Sequence, residues 1–188
     1  MSRASGPIPA AAFLGRAAGL AEEVVQELAA RKKTLAAAES CTAGLAADFI
    51  ARVPGASKVF WGSFVSYAAD AKVKMLGVAE ALIKDHGAVS RPVALAMACG
   101  ALEKSGASWA FSVTGLAGPG GDGSGTPVGS VWIGVAGRDD VPPNRVLSGA
   151  ELFLFAGGRN EVREAAAAAA LELLLERIRE KDIDRREV

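Results

Sequence analysis

The chain of 188 residues has one histidine, His86, and only two cysteines, Cys41 and Cys99. A lone imidazole cannot assemble the usual zinc ligand sets, which combine several His and Cys side chains. Two thiols with no CxxC-type pairing do not make a disulfide framework, and they fit a reducing compartment. A metal held by carboxylates alone stays open, although no Asp/Glu cluster recommends it, and no cofactor motif is apparent. An excess of one charge is also lacking, since 21 Lys and Arg balance 21 Asp and Glu. No global field therefore recruits nucleic acid or an anionic membrane surface. Nor does any apolar stretch reach the roughly 20 uncharged residues that span a bilayer. The apolar run before Leu14 is broken by Pro7 and Pro9. It merges into a charged helical pattern at Arg16, Glu22 and Glu23, where a signal peptide would need its cleavage region. The expectation is a cytoplasmic protein.

What is present is an ordinary globular composition, 51% apolar and 22% charged, in a length suited to one domain. A single domain over 1–188 is expected, with flexible ends at 1–12 and 181–188. Phe13, Ala17, Leu20, Ala21, Val24 and Leu28 recur at helical spacing opposite Arg16, Glu23 and Glu27. This predicts an amphipathic first helix ending near Arg31, Lys32 and Lys33. Residues 34–38 read as a buried strand on length and flanks, because alanine is a poor strand former. A small-residue segment leads into an apolar helix to about Arg52. A second strand at 59–67, short helices at 71–76 and 80–86, and a longer helix from Ser90 to about Lys104 follow, with Pro92 tolerated in its first turn. Strands at 108–114, 128–136 and 147–155 precede a last helix, which starts after Gly157 and Gly158 and runs to about Arg179. Strands and helices alternate in the first half, and strands follow one another directly in the second. That order predicts an α/β fold, a three-layer α/β/α sandwich with a mixed, partly parallel sheet.

Chemistry concentrates at three places. Ser40 sits where a buried strand meets a helix, among small residues, and projects from the carboxyl edge where open α/β sheets bind ligands. Free N–H groups at the helix start can hold an oxyanion or a phosphate, while the blander role for Ser40 or Thr42 is to cap that helix. A nucleophilic serine needs a base. His86 precedes Gly87 at a helix end, where packing or capping is the ordinary role. Lys72 is the alternative, five residues past the only tyrosine, Tyr67, at the exit of the second strand, and burial would lower its pKa. On composition and spacing alone, Lys72 and Lys74 read more readily as the solvated face of a short helix. Cys41 is a rival nucleophile that fits better as a small buried hydrophobe. The second place is the glycine-rich run 114–127, neither a Walker loop nor a dinucleotide fingerprint, whose 114–118 part lies at a strand end. The third is Arg159, in the first turn of the last helix with Arg163 one turn on. A cation is disfavoured at that positive helix end. It would answer either a substrate phosphate or a salt bridge to Glu161, Glu164 or another chain.

Taken together, these residues resemble one family. The string Ala38-Glu39-Ser40-Cys41-Thr42-Ala43-Gly44 is similar to the A-E-S-C-T-G-G signature of the CinA carboxy-terminal domain. Matches follow in order at Pro54-Gly55-Ala56-Ser57, Val65-Ser66-Tyr67 with Lys72, Leu76-Gly77-Val78, His86-Gly87-Ala88-Val89-Ser90, Thr114-Gly115-Leu116-Ala117-Gly118-Pro119 and Pro127-Val128-Gly129, so that the resemblance runs from about residue 15 to residue 180. It implies an α/β/α sandwich and nicotinamide-nucleotide amidase activity, in which nicotinamide mononucleotide and water give nicotinate mononucleotide and ammonia, without metal or cofactor. It also implies Ser40 as nucleophile, Lys72 and Tyr67 as its activating partners, and Thr42, Gly44, Thr114 and Gly115 lining the site. Arg159 would engage the substrate phosphate. Three departures stand out: Ala43 for the first glycine of the usual pair, Ala69 for a common asparagine and Gly120 for a common aspartate. None touches Ser40, Tyr67 or Lys72. Because many relatives carry this domain behind a larger one of pyrophosphatase type, the expectation here is the stand-alone form without that activity. The rival expectation is a non-catalytic nucleotide- or partner-binding module linked to competence or DNA damage. A metal-dependent phosphohydrolase is a weaker third. The alanine-rich first and last helices suggest packing between subunits in a homo-oligomer, a dimer.

Overall fold

Residues 6–138 and 146–186 are described in the computed structural model, with side chains to residue 180. The elements are β1 (Ile8–Pro9), α1 (Ala17–Ala30), β2 (Leu35–Glu39), α2 (Leu45–Ala51), β3 (Phe60–Val65), α3 (Ala69–Leu76), α4 (Glu80–His86), α5 (Arg91–Ser105), β4 (Trp109–Gly115), β5 (Ser130–Arg138), β6 (Val146–Ala156) and α6 (Arg159–Arg186). Six strands form one sheet in the order β1-β6-β5-β4-β2-β3. β2 runs parallel to both β3 and β4, whereas β4, β5 and β6 form an antiparallel meander. Helices cover both faces, so the mixed three-layer sandwich predicted from element order is what forms.

The two faces of the sheet differ in bulk, and this explains why a strand can be made of alanine. Leu35 and Ala37 of β2 join Phe111, Val113, Ile133 and Phe153 beneath α1, α2 and α6. Ala36, Ala38, Ala110 and Ala136 face α5 with Val93, Met97 and Ala101. Small side chains on that face let α5 lie close: a Cβ on Gly134 of β5 would stand 2.7 Å from the Ala94 carbonyl oxygen. β2 is buried at all five positions. Its stability therefore comes from packing between two helical layers, not from intrinsic strand propensity.

Two details depart from expectation. Of the ends predicted to be flexible, residues 8–12 are placed: Ile8 and Pro9 pair in parallel with Phe155 and Ala156 of β6, and residues 10–12 form a turn of 3₁₀ helix with Ala10 buried. Two residues are too few to show a strand period, and proline is accommodated because β1 lies at the sheet edge. At the other end α6 continues to Arg186, while residues 1–5 and 187–188 of those ends lie outside the described residues. The alanine block 165–170 is wholly buried within this one chain, and α1 and α6 pack on each other. Among the described residues no helix is long and apolar enough to cross a membrane.

Parallel pairing on both sides of β2 has one consequence for function. The carboxyl ends of β2, β3 and β4 open on the same edge, with Glu39 in register with Val65 and Val113. Ser40, Ser66, Tyr67 and the run after Gly115 are thereby brought to one place.

Candidate active site

Ser40 follows β2 directly and is 7% exposed. Its own N–H donates to the Val113 carbonyl at 2.9 Å, and the Ser66 N–H donates to the Glu39 carbonyl at 2.8 Å, so the peptide between Glu39 and Ser40 is held by the strands on both sides. The chain then turns sharply, with Ala43 at φ 54° and Gly44 at φ 93°, before α2 begins. Ala43 adopts the left-handed conformation that a glycine takes without strain, at a cost of about 1–2 kcal/mol. This is the physical meaning of its departure from the glycine pair.

The helix that follows is capped from below. The Glu39 carboxylate is fully buried, accepting from the Gly44 and Ala46 amides through Oε2 at 2.9 and 3.2 Å and from the Ala47 amide and the Ser63 hydroxyl through Oε1 at 3.0 and 3.2 Å. Neither Ser40 nor Thr42 caps α2, because a carboxylate at the end of the preceding strand reaches three orphan amides at once and suits the positive helix end. Those amides are consequently not free to hold a substrate phosphate, as expected for an open helix start. Glu39 stood in the motif, but its place at the end of an alanine run gave no sign that its side chain would turn back under the helix.

Lys72 lies on the first turns of α3, 1% exposed, with Nζ 2.8 Å from Ser40 Oγ. It does not sit on a solvated face beside Lys74, which instead pairs with Asp70. Its Nζ also donates to the main-chain carbonyls of Ser66 at 2.8 Å and Tyr67 at 3.3 Å. These oxygens carry no formal charge, and burial, opposed only in part by neighbouring Cys41, pulls the Lys72 ammonium down to about 8. With two N–H groups committed to carbonyls that only accept, the remaining position on a neutral Nζ is a lone pair facing Ser40 Oγ. Cys41 is the poorer nucleophile: burial pushes its thiol up to about 12, leaving almost no thiolate at neutral pH.

Tyr67 contributes in two separate ways. Its carbonyl faces Ser40 Oγ at 3.4 Å as well as Lys72, whereas its ring is 55% exposed and its hydroxyl accepts from Arg159 Nη2 at 2.9 Å. Arg159 Nη1 donates to the Gly118 carbonyl at 2.6 Å, so this arginine ties the start of α6 to the β3 exit and the glycine-rich run. Neither of its contacts is a carboxylate. Thr114 is buried and donates from Oγ1 to the Ala88 carbonyl at 2.8 Å, holding the end of β4 against the segment before α5. Gly115 packs on β5, where a Cβ would meet the Ser130 carbonyl oxygen at 2.8 Å. Thr42 is buried, and its Oγ1 has no partner among the described residues. The Gly44 amide is taken by Glu39. His86 is exposed at the end of α4. Among the described residues no group of three or more His, Cys, Asp or Glu gathers where it could hold a metal ion. A side chain given no role by spacing also enters: Arg163 donates to the carbonyls of Cys41 and Thr42.

Fold and site define a class, an α/β/α sandwich with a serine–lysine pair at the carboxyl edge of a mixed sheet. Residues 17–178 match the CinA C-terminal domain, and the chain belongs to that family. It is 45% identical over 163 residues to a CinA-like protein of Chlorobaculum tepidum, covering 87% of this chain and 38% of that one. The chain thus spans under two fifths of the length of that curated relative. It is 42% identical over 156 residues to the nicotinamide-nucleotide amidohydrolase PncC of Escherichia coli K12, covering 82% of this chain and 90% of that one. Among solved structures, the competence/damage inducible protein CihA of Agrobacterium tumefaciens superposes with a TM-score of 0.79 at 39% identity, over 87% of this chain and 96% of that one.

Proposed function

We propose that the protein hydrolyses the carboxamide of nicotinamide mononucleotide, releasing ammonia and nicotinate mononucleotide, by way of an acyl-enzyme on Ser40. The observation that carries the reading is the 2.8 Å approach of a buried lysine nitrogen to a serine hydroxyl. Neutral Lys72 takes the proton as Ser40 Oγ attacks the carboxamide carbon, and the resulting ammonium returns it to the departing nitrogen. Water then attacks the acyl-enzyme, neutral Lys72 again receives the proton, and the ammonium returns it to Ser40 Oγ as the C–O bond breaks to give the carboxylic acid and restore both groups. The tetrahedral oxyanion is held by main-chain N–H groups of the turn after Ser40. Arg159, exposed at the mouth beside the Tyr67 ring, is the cation that meets the phosphate. Likeness to the Escherichia coli protein named as an amidohydrolase of this nucleotide supports the substrate.

Ammonia release from nicotinamide mononucleotide is the test. Ser40→Ala should lower kcat by about 10³-fold or more while the fold is retained, since removal of a nucleophile leaves only binding and oxyanion contributions. Undiminished turnover in that variant would remove the mechanism. Tight nucleotide binding by the unaltered protein with no turnover would favour a non-catalytic module instead.

A further inference from the structure

We infer that Arg163, one turn into α6, is a positioning residue that sets the oxyanion-binding face of the turn after Ser40. The inference rests on the amide-hydrolysis reading above. Arg163 reaches from α6 to two consecutive main-chain carbonyls: Nε donates to Cys41 at 3.1 Å and Nη2 to Thr42 at 3.1 Å. Its remaining contact, Nη1 to Asn160 Oδ1 at 3.3 Å, lies within its own helix. The planar guanidinium presents these donors in a fixed fork, so it holds both peptide planes at once.

The planes matter because each trans peptide unit points its N–H opposite to its C=O. Drawing the Cys41 carbonyl towards α6 turns the Thr42 N–H away from α6. Drawing the Thr42 carbonyl the same way turns the Ala43 N–H away, and that group closes on the Ser40 carbonyl at 3.0 Å. The Gly44, Ala46 and Ala47 amides are bound to Glu39. Of the amides after Ser40, those of Cys41 and Thr42 are left without a main-chain acceptor among the described residues, and the Thr42 N–H is the one whose peptide Arg163 holds through the Cys41 carbonyl. α6 and α3 cover opposite faces of the sheet, so a donor turned away from α6 faces the side from which Lys72 reaches Ser40. Arg163 thus aims a main-chain donor at the place where negative charge develops, and its cation polarises the peptide that carries it. No proton or bond passes through Arg163. Arg159, by contrast, ends at the exposed mouth, where substrate binding is decided.

The experiment compares Arg163→Met, Arg163→Lys and Arg159→Ala in steady-state release of ammonia from nicotinamide mononucleotide, with thermal melts as a check of folding. A misaimed donor is expected to lower kcat of Arg163→Met by about 10–100-fold, with KM within about threefold of the unaltered protein by the same argument. Arg163→Lys keeps the charge but reaches one carbonyl, and falls between. Millimolar guanidinium ion should restore part of kcat in Arg163→Met. The pH midpoint should stay where Lys72 sets it, which general loosening of the site would not allow. Arg159→Ala should instead raise KM. Retained kcat in a folded Arg163→Met, or a raised KM with kcat intact, overturns the inference and makes Arg163 a scaffold or phosphate contact. Should Arg163→Met not fold, unchanged kcat in Arg163→Lys overturns it equally. An unaltered protein that releases no ammonia fails the parent reading and this one together, whereas active protein with indifferent Arg163 variants fails this one alone.

Discussion

A lysine stripped of water beside a serine has two consequences that one titration can test. In the proposed mechanism Lys72 serves as a base only when neutral, and burial brings its ionisation down to about 8 from an ordinary 10.5. Activity should therefore rise with pH and level off above about 8, the descending acid limb tracking the protonated amine. Stability should follow the same group. Below pH 8 both folded and unfolded chains hold the proton. Between about 8 and 10.5 only the unfolded chain does, so the unfolding free energy climbs with pH, by at most about 1.4 kcal/mol per pH unit. Urea titrations of the protein and of Lys72→Met at pH 7.5, 8.5 and 9.5 would measure this. The difference between them should move in favour of the lysine protein across that range, and a constant difference would mean that Lys72 ionises normally.

At the scale of elements, Lys72 is only as well placed as α3. That helix docks against α5 through Gly100, where a Cβ would fall 2.1 Å from the Leu76 carbonyl oxygen. Main chain meets main chain there, with no flexible side-chain end to give way. Gly100→Ala should cost about 1–3 kcal/mol through overpacking. It should also lower the proposed amidase activity, because Leu76 is one helical turn beyond Lys72 and a displaced α3 withdraws the amine from Ser40. A melting temperature equal to that of the unaltered protein would show that α5 can yield at this point. The helices themselves were legible: α4 falls at 80–86 as predicted, and Ser90 with Pro92 marks the start of α5. Gly100 was not, because its reason for being glycine is a carbonyl from another helix, and neither local period nor propensity encodes that contact. The same holds for Glu39, whose partners are amides five to eight residues on.

Across the whole molecule the site draws on all three layers. Ser40 comes from the sheet, Lys72 from the helices on one face, Arg159 and Arg163 from α6 on the other. The two hydrophobic cores share that sheet, with Leu35 and Ala37 facing one and Ala36 and Ala38 the other. Melting either layer would bare one face of β2 and separate the catalytic groups. Loss of the proposed amidase activity, of far-UV circular dichroism and of fluorescence from the buried Trp109 should accordingly coincide in urea as one transition. Activity lost well before helicity would mean that the α3–α5 layer opens independently.

Hydrophobic period and turn residues sufficed to locate ten of the twelve elements within a few residues and to order them as a mixed α/β sandwich, because helical and strand patterns are local; they named Ser40, Lys72 and Arg159 only as candidates beside blander roles, and the family resemblance supplied the choice between them. The short β1 and the reach of α6 to Arg186 escaped, the first for want of length and the second because a charged helix end looks like a frayed one. Whether Lys72 meets water or Ser40, whether Glu39 caps α2, and which carbonyls Arg163 holds depend on groups 5 to 122 positions apart in the chain. Only parallel pairing of β3 and β4 on either side of β2 brings those groups together, and only burial between two helical layers takes the proton affinity of Lys72 down into the range where an amine can act as a base.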